Sequence, residues 1–249
     1  MSQVFSLVFL LTAGLGLQAE RLPEWMIPLR EAVYEQVLTV EEIKPLYLAA
    51  SAAARRYASG ADRYVALSRA EFFMGRALLF EERNPEARIH FAEGLRLAEI
   101  AVETGPSAEA WILRSGNLGH LIQADGRTTF AMANGLDVER FARNALELDP
   151  RNAAAQQTLA ARLVFAPRPF GNIRRGIEMM EAILENADVE RNDIFNVAVS
   201  IGWAHVQQRN FSEAIPWLER AVEIFPTNQF ATELLETAEA GGGGRRRSR

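Results

Sequence analysis

The stretch that most limits what this chain can become is Phe195–Asn228, FNVAVSIGWAHVQQRNFSEAIPWLERAVEIFPTN. Its apolar positions recur at helical spacing on either side of a short polar break at Arg209-Asn210, the pattern of two amphipathic helices folded into a hairpin. Ala198 and Gly202 fall on one face of the first helix, where the close approach of a neighbour leaves no room for a large side chain. Ala214, Leu218 and Ala221 line one stripe of the second, at spacings of four and three. Asn210 stands where an N-cap is needed, with Glu213 placed to complete a capping box. Pro226 ends the second helix, because its ring and missing N–H cannot continue the ladder. One hairpin leaves its apolar face bare, so the chain must contain others for it to stack on.

The same arrangement recurs upstream. A helix from Ala61 to about Glu82 precedes Pro85–Glu103, with Asn84 as cap and Pro85 at the favourable first position; Gly75, Ala87, Phe91 and Gly94 repeat the spacing of the final hairpin. Ser107 opens a helix carrying Trp111, Ser115 and Leu118. Its partner is expected over Asp137–Leu148, because Gln123–Leu136 holds two glycines and no clear amphipathic period and reads as an inserted segment. Ala153–Phe165 and Asn172–Glu185 make a further pair across the loop at Pro167–Gly171, and Thr227–Ala240 reads as the capping helix that such a stack requires. Ahead of the hairpins, a short amphipathic piece around Leu29, Val33 and Val37 leads into a helix from Thr39, which forms a capping box with Glu42, through Ala58.

The spacing of Ile201-Gly202, Phe211, Ala214, Leu218, Ala221 and Pro226, and the helix ending ALELDPRN at Ala145–Asn152, resemble the tetratricopeptide (TPR) repeat, with Ala198 and His205 where that family often has Trp and Tyr. The resemblance implies an all-α fold, a right-handed α-solenoid of TPR-like hairpins with leader and capping helices. Leader helices are expected over 20–60, the repeat domain over 61–240, and a disordered Gly/Arg tail over 241–249, which offers no apolar group to dock. Residues 1–19 read as a signal peptide. The apolar run from Val4 to Leu17 suits an export signal and is short for a membrane span of about 20 residues, and Ala19 offers a cleavage position. The expected localisation is periplasmic or secreted. With no cysteine to follow the run, the signal is not of the lipid-anchored kind.

Composition removes several function classes. Absence of cysteine excludes disulfide scaffolds, zinc-thiolate sites and thiol nucleophiles. The net charge of −5 includes the positive charges of Arg245, Arg246, Arg247 and Arg249, so the body is more acidic still, which argues against a nucleic-acid surface. His90, His120 and His205 share no metal-ligand spacing, no glycine loop enters a helix as a phosphate cradle, and no nucleophile-elbow signature occurs. No metal, cofactor or catalytic residue is expected, and the reading is of a binding protein rather than an enzyme.

In a stack of helical hairpins the first helix of each pair faces the concave surface. Projecting the repeat register onto that surface selects Arg69, Phe72, Arg76 and Phe80, then Ile112, Gly116 and His120, then Gln157, Ala161 and Phe165, and finally Asn196, Val199, Trp203 and Gln207. Arginine there suits a carboxylate, because its planar fork donates two parallel hydrogen bonds. Two alternatives stand side by side: an open groove holding a ligand or partner, and a groove filled from within by the leader helices.

A narrower resemblance covers roughly residues 65–225. The segment from Trp111 through NLGHLI, ALELDPRNAAAQ and LVFAPRPFGNIRRGIEMMEAIL is similar to the T component of tripartite ATP-independent periplasmic transporters, and to TPR proteins of the microtubule-dynamics-regulator type. Gly171-Asn172-Ile173 departs from the Gly-Gly-Asp of that transporter family. The resemblance implies an exported, non-catalytic adaptor that engages a protein partner, a periplasmic solute-binding protein, and takes an apolar carboxylate, a small organic acid, in its groove. The alternative is a generic scaffold holding a peptide or partner helix with no small ligand. Self-association is compatible with either, and membrane contact beyond the signal peptide is expected of neither.

Overall fold

A computed structural model of the chain describes residues 22–166, 171–186 and 189–246. The expected signal peptide, the loop at Pro167–Phe170 and the last residues of the tail lie outside them. The described residues are helical and contain no strand. After a single 3-10 turn at Glu24–Met26 come α1 (Ile27–Glu35), α2 (Val40–Tyr57), α3 (Gly60–Phe80), α4 (Asn84–Thr104), α5 (Ala108–Asp125), α6 (Thr128–Leu148), α7 (Ala153–Phe165), α8 (Ile173–Asn186), α9 (Arg191–Gln207), α10 (Phe211–Ile224) and α11 (Gln229–Arg246). From α2 onwards each helix packs on the next.

Small residues set the closeness of these contacts. A Cβ built on Gly202 of α9 would lie 2.5 Å from Leu218 Cδ2 and 2.6 Å from its Cγ on α10, and one on Gly75 of α3 would lie 2.7 Å from the ring of Phe91 on α4. The two hairpins therefore use the same device, a glycine on the first helix receiving a large apolar side chain from the second. Between α3, α4 and α5 the join is polar. Buried Ser68 donates to the Gly94 carbonyl at 2.7 Å, and buried Asn117 donates to Ser68 Oγ at 3.1 Å and to the Leu113 carbonyl at 2.9 Å.

Helix ends follow local chemistry in most places. Thr39 and Glu42 form the expected capping box of α2, while Ser107 and Asn152 accept from the Ala110 and Ala155 N–H groups at the starts of α5 and α7. Asn210 does not cap α10 through its side chain; only its backbone carbonyl receives Glu213 and Ala214, because Arg209 before it takes a left-handed turn that fixes the entry. The segment expected as an insertion also differs. Gly126, at φ 70°, ends α5, and Thr128–Leu136 is the first half of α6. Its missing amphipathic signal reflects its surroundings: Met132 and Leu136 are 79% and 70% exposed, and a Cβ on Gly135 would meet nothing within 4 Å. At the C-terminus α11 runs past the expected end at Ala240 into Gly241–Arg246, with Gly241 against the Phe211 ring.

The leader helix α1 lines the inner side with Arg30 and Tyr34, in part the filled-groove alternative. Besides packing on α2 and α3 it reaches the last hairpin. Asn228 donates to the Tyr34 carbonyl at 2.8 Å, Thr227 Oγ1 to the Glu35 carbonyl at 2.7 Å, and the Gln229 N–H to Gln36 Oε1 at 2.9 Å; Arg191 pairs with Glu31 at 2.8 Å. One hydrophobic cluster accordingly contains Met26, Leu29 and Val33 together with Phe195, Ala221, Phe225 and Ala231.

Two helix glycines should respond to the same substitution with opposite sign. Gly202→Ala should destabilise by about 1–3 kcal/mol through overpacking against buried Leu218. Gly135→Ala should stabilise by about 0.5–1 kcal/mol, since it adds helix propensity in open space. Urea unfolding followed by circular dichroism measures both.

Candidate functional site

The first helices of the hairpins, with α1 laid across them, enclose a cavity of about 440 Å³. Each contributes a stripe at helical spacing: Arg69, Phe72, Phe73 and Arg76 from α3; Glu109, Ile112, Gly116 and His120 from α5; Gln157, Thr158, Ala161 and Phe165 from α7; Asp193, Asn196 and Ser200 from α9. Tyr34 and Arg30 come from α1.

Of the side chains selected from the repeat register, Arg69, Phe72, Arg76, Ile112, Gly116, His120, Gln157, Ala161, Phe165 and Asn196 meet in this one cavity. The remaining four do not line it. Phe80 lies beyond its end, 44% exposed, with its ring 5.6 Å from the Arg76 guanidinium carbon. Val199 is buried in the main cluster, Trp203 packs at 4.6 Å against Phe165, and Gln207 faces solvent at the end of α9. Position along and around the helix separates the two groups. Phe80 and Gln207 are the last residues of their helices, and Val199 and Trp203 lie on the side of α9 that packs against neighbouring side chains.

The two arginines of α3 are differently engaged. Arg69 is paired with Glu109 across the α3–α5 gap. Arg76 carries its guanidinium over aromatic faces instead, 4.6 Å from the Tyr34 centroid, 5.9 Å from Phe72 and 5.6 Å from Phe80. No carboxylate among the described residues pairs with it. Sequence reasoning found the cation but not its shelf, because Tyr34 belongs to the leader helix. That ring is held by stacking on Phe225 at 4.9 Å and by an edge contact with Phe195 at 5.6 Å, and its hydroxyl accepts from Asn196 Nδ2 at 3.0 Å.

His120 sits beside Arg76, between Phe72 and Phe91, with ring centroids at 4.9 and 5.2 Å. Burial, reinforced by the Arg76 charge, pushes its pKa down to about 4. The ring is part-buried and lines the cavity. The neutral ring must carry its proton on Nδ1, which donates to the Gly116 carbonyl at 3.0 Å, so Nε2 is an acceptor. At the other end Asp193 is 9% exposed. Burial is the main cause that raises its carboxyl to about 6, and the charges of Glu190 and Glu109 add to it. The register missed this residue because it lies in the first turn of α9, where an acid reads as an ordinary capping group.

Among the described residues no cluster of three or more His, Asp or Glu is placed to hold a metal ion, and no helix is long and apolar enough to cross a membrane. No protein-family model and no curated protein matches the chain.

A folded-state pKa below the usual value of 6.5 makes His120 a group whose neutral form favours the native state. Its contribution is complete above about pH 6.5 and is lost as pH falls toward 4. Asp193, raised from 3.8 to about 6, acts in the opposite sense over part of that window. The test is therefore a difference: the stability of wild type relative to His120→Gln should decline between pH 6.5 and 4, by urea unfolding at fixed ionic strength.

Proposed function

We propose that this protein is an exported, non-catalytic helical-repeat protein of the TPR type, built as a right-handed solenoid, that binds a small apolar carboxylate in its concave cavity and acts as an adaptor in solute uptake. The observation that carries the reading is Arg76, a cation at the cavity wall, seated on the faces of Tyr34, Phe72 and Phe80 and paired with no carboxylate among the described residues. An arginine so held keeps its hydrogen-bonding edge for a planar anion. Phe72, Ile112, Ala161 and Phe165 supply the apolar lining for the remainder of the ligand, and the cavity volume lies in the range of small-molecule sites.

The repeated glycine-to-bulky contact, Gly75 with Phe91 and Gly202 with Leu218, supports a common repeat unit. Export and a periplasmic solute-binding protein as partner rest on the sequence resemblance and belong to the same proposal. A generic scaffold holding a peptide or partner helix has less in its favour, because α1 already lies across the concave face, with Tyr34 buried among Phe195, Phe225 and Arg76.

Titration calorimetry with hexanoate should detect binding to wild type. Arg76→Gln should weaken it by about tenfold or more, as expected for loss of a charge-assisted pair. Equal affinity of the two proteins removes Arg76 from the site.

A further inference from the structure

The cavity is electrically divided along its length. Arg69 and Arg76 are seven residues apart on α3, which is about 10 Å of helix rise. The Arg76 end holds the cation, its aromatic shelf and the neutral His120. The Arg69 end is acidic: Glu109, Glu190 and Asp193 all line it. Two of these acids are committed. Glu109 pairs with Arg69, and the Glu190 carboxylate accepts the Asp193 N–H in a reciprocal capping box. Arg30, the other cation on the cavity wall, pairs with Glu31 at 2.5 Å.

Asp193 is the acid left over. Its Oδ2 accepts the Glu190 N–H at 2.9 Å and its Oδ1 accepts from Asn192 at 3.3 Å, both neutral donors, and no cation among the described residues is paired with it. A carboxylate has about four acceptor sites, so capacity remains toward the cavity. The charged groups that act on it are Glu190 on its own helix end, Glu109 from α5 and Arg69 from α3; the first two raise its proton affinity, and Arg69, neutralised by Glu109, offsets them only in part.

Resting on the carboxylate reading of Arg76, we infer that the ligand is dipolar: an elongated ω-amino acid or similar zwitterion whose carboxylate sits on Arg76 and whose ammonium group sits on Asp193. Asp193 belongs to the Arg69 end, since Arg69 and not Arg76 acts on its charge, and Arg69 and Arg76 stand about 10 Å apart along α3, while each hydrogen bond takes up about 3 Å. The charges of the ligand must therefore be several bonds apart, as in ε-aminocaproate, whereas the adjacent charges of an α-amino acid cannot reach both ends. A simple fatty carboxylate would fill the lining but leave Asp193 as a buried charge without a counterion, an arrangement that costs binding energy.

Calorimetry on the full chain with three probes, hexanoate, hexylamine and ε-aminocaproate, tests this. At pH 7.5 ε-aminocaproate should bind roughly tenfold more tightly than hexanoate, and Asp193→Asn should abolish that preference, weakening ε-aminocaproate and strengthening hexanoate. The asparagine keeps an oxygen for the Glu190 N–H, so the helix cap is preserved. A second measurement needs no variant. In wild type the preference for ε-aminocaproate should fade as pH drops from 7.5 to 5, because the Asp193 carboxyl, near 6 in the empty cavity, becomes neutral. Hexanoate binding as tightly as ε-aminocaproate at pH 7.5 would overturn the dipolar ligand and leave the carboxylate site standing. Hexylamine matching ε-aminocaproate would also overturn it, since Arg76 would then play no part. Binding of none of the three, or affinities unchanged in Arg76→Gln, would overturn the carboxylate reading itself.

Discussion

The packing of Tyr34 is the contact on which the rest of the molecule depends. Its ring is stacked on Phe225, meets Phe195 edge-on and lies under the Arg76 guanidinium; its carbonyl accepts from Asn228 and its hydroxyl from Asn196. In an ordinary helical array each unit touches only its neighbours, and the two ends are independent. Here α1 ties the first hairpin to the last, across more than 160 residues of sequence. Closing so long a loop costs only logarithmically more than closing a short one. The burial of Tyr34, Phe195 and Phe225, worth roughly 1.5–3 kcal/mol for each side chain, is ample to hold it.

That closure changes what the concave side can be. Without α1 the inner faces of α3, α5, α7 and α9 would form a trough open along its length. With α1 across it they form a bounded cavity, with a cation at one end and an uncompensated acid at the other. The same side chain that joins the ends of the array supplies the aromatic surface on which Arg76 rests. Fold closure and the shape of the cavity wall are therefore coupled through Tyr34.

The helical hairpins were legible because the apolar period, the small residues and the breakers agree within each one: Gly202 opposite Leu218 with Pro226 beyond, and Gly75 opposite Phe91. Where the sequence misled, a local signal was missing or duplicated. Thr128–Leu136 forms a helix with little to pack on, so no amphipathic stripe marks it. Asn210 has the chemistry of a cap but follows a left-handed Arg209, which makes the turn without it. In the cavity, Arg69, Phe72, Arg76, Ile112, Gly116 and His120 were legible because they recur at helical spacing on one face of α3 and of α5. Trp203 and Gln207 lie outside the cavity, Trp203 against Phe165 and Gln207 exposed at the end of α9.

By itself, the sequence determined the all-helical class and the order in which the helices follow one another, since periodicity and steric fit between neighbours are local properties. It could not determine that α1 bridges to α9 and α11, that Arg69 is paired with Glu109, or that Asp193 is buried with no ion-pair partner among the described residues. Those depend on which distant groups share one low-dielectric space, and only the tertiary structure brings them within a few ångströms of one another.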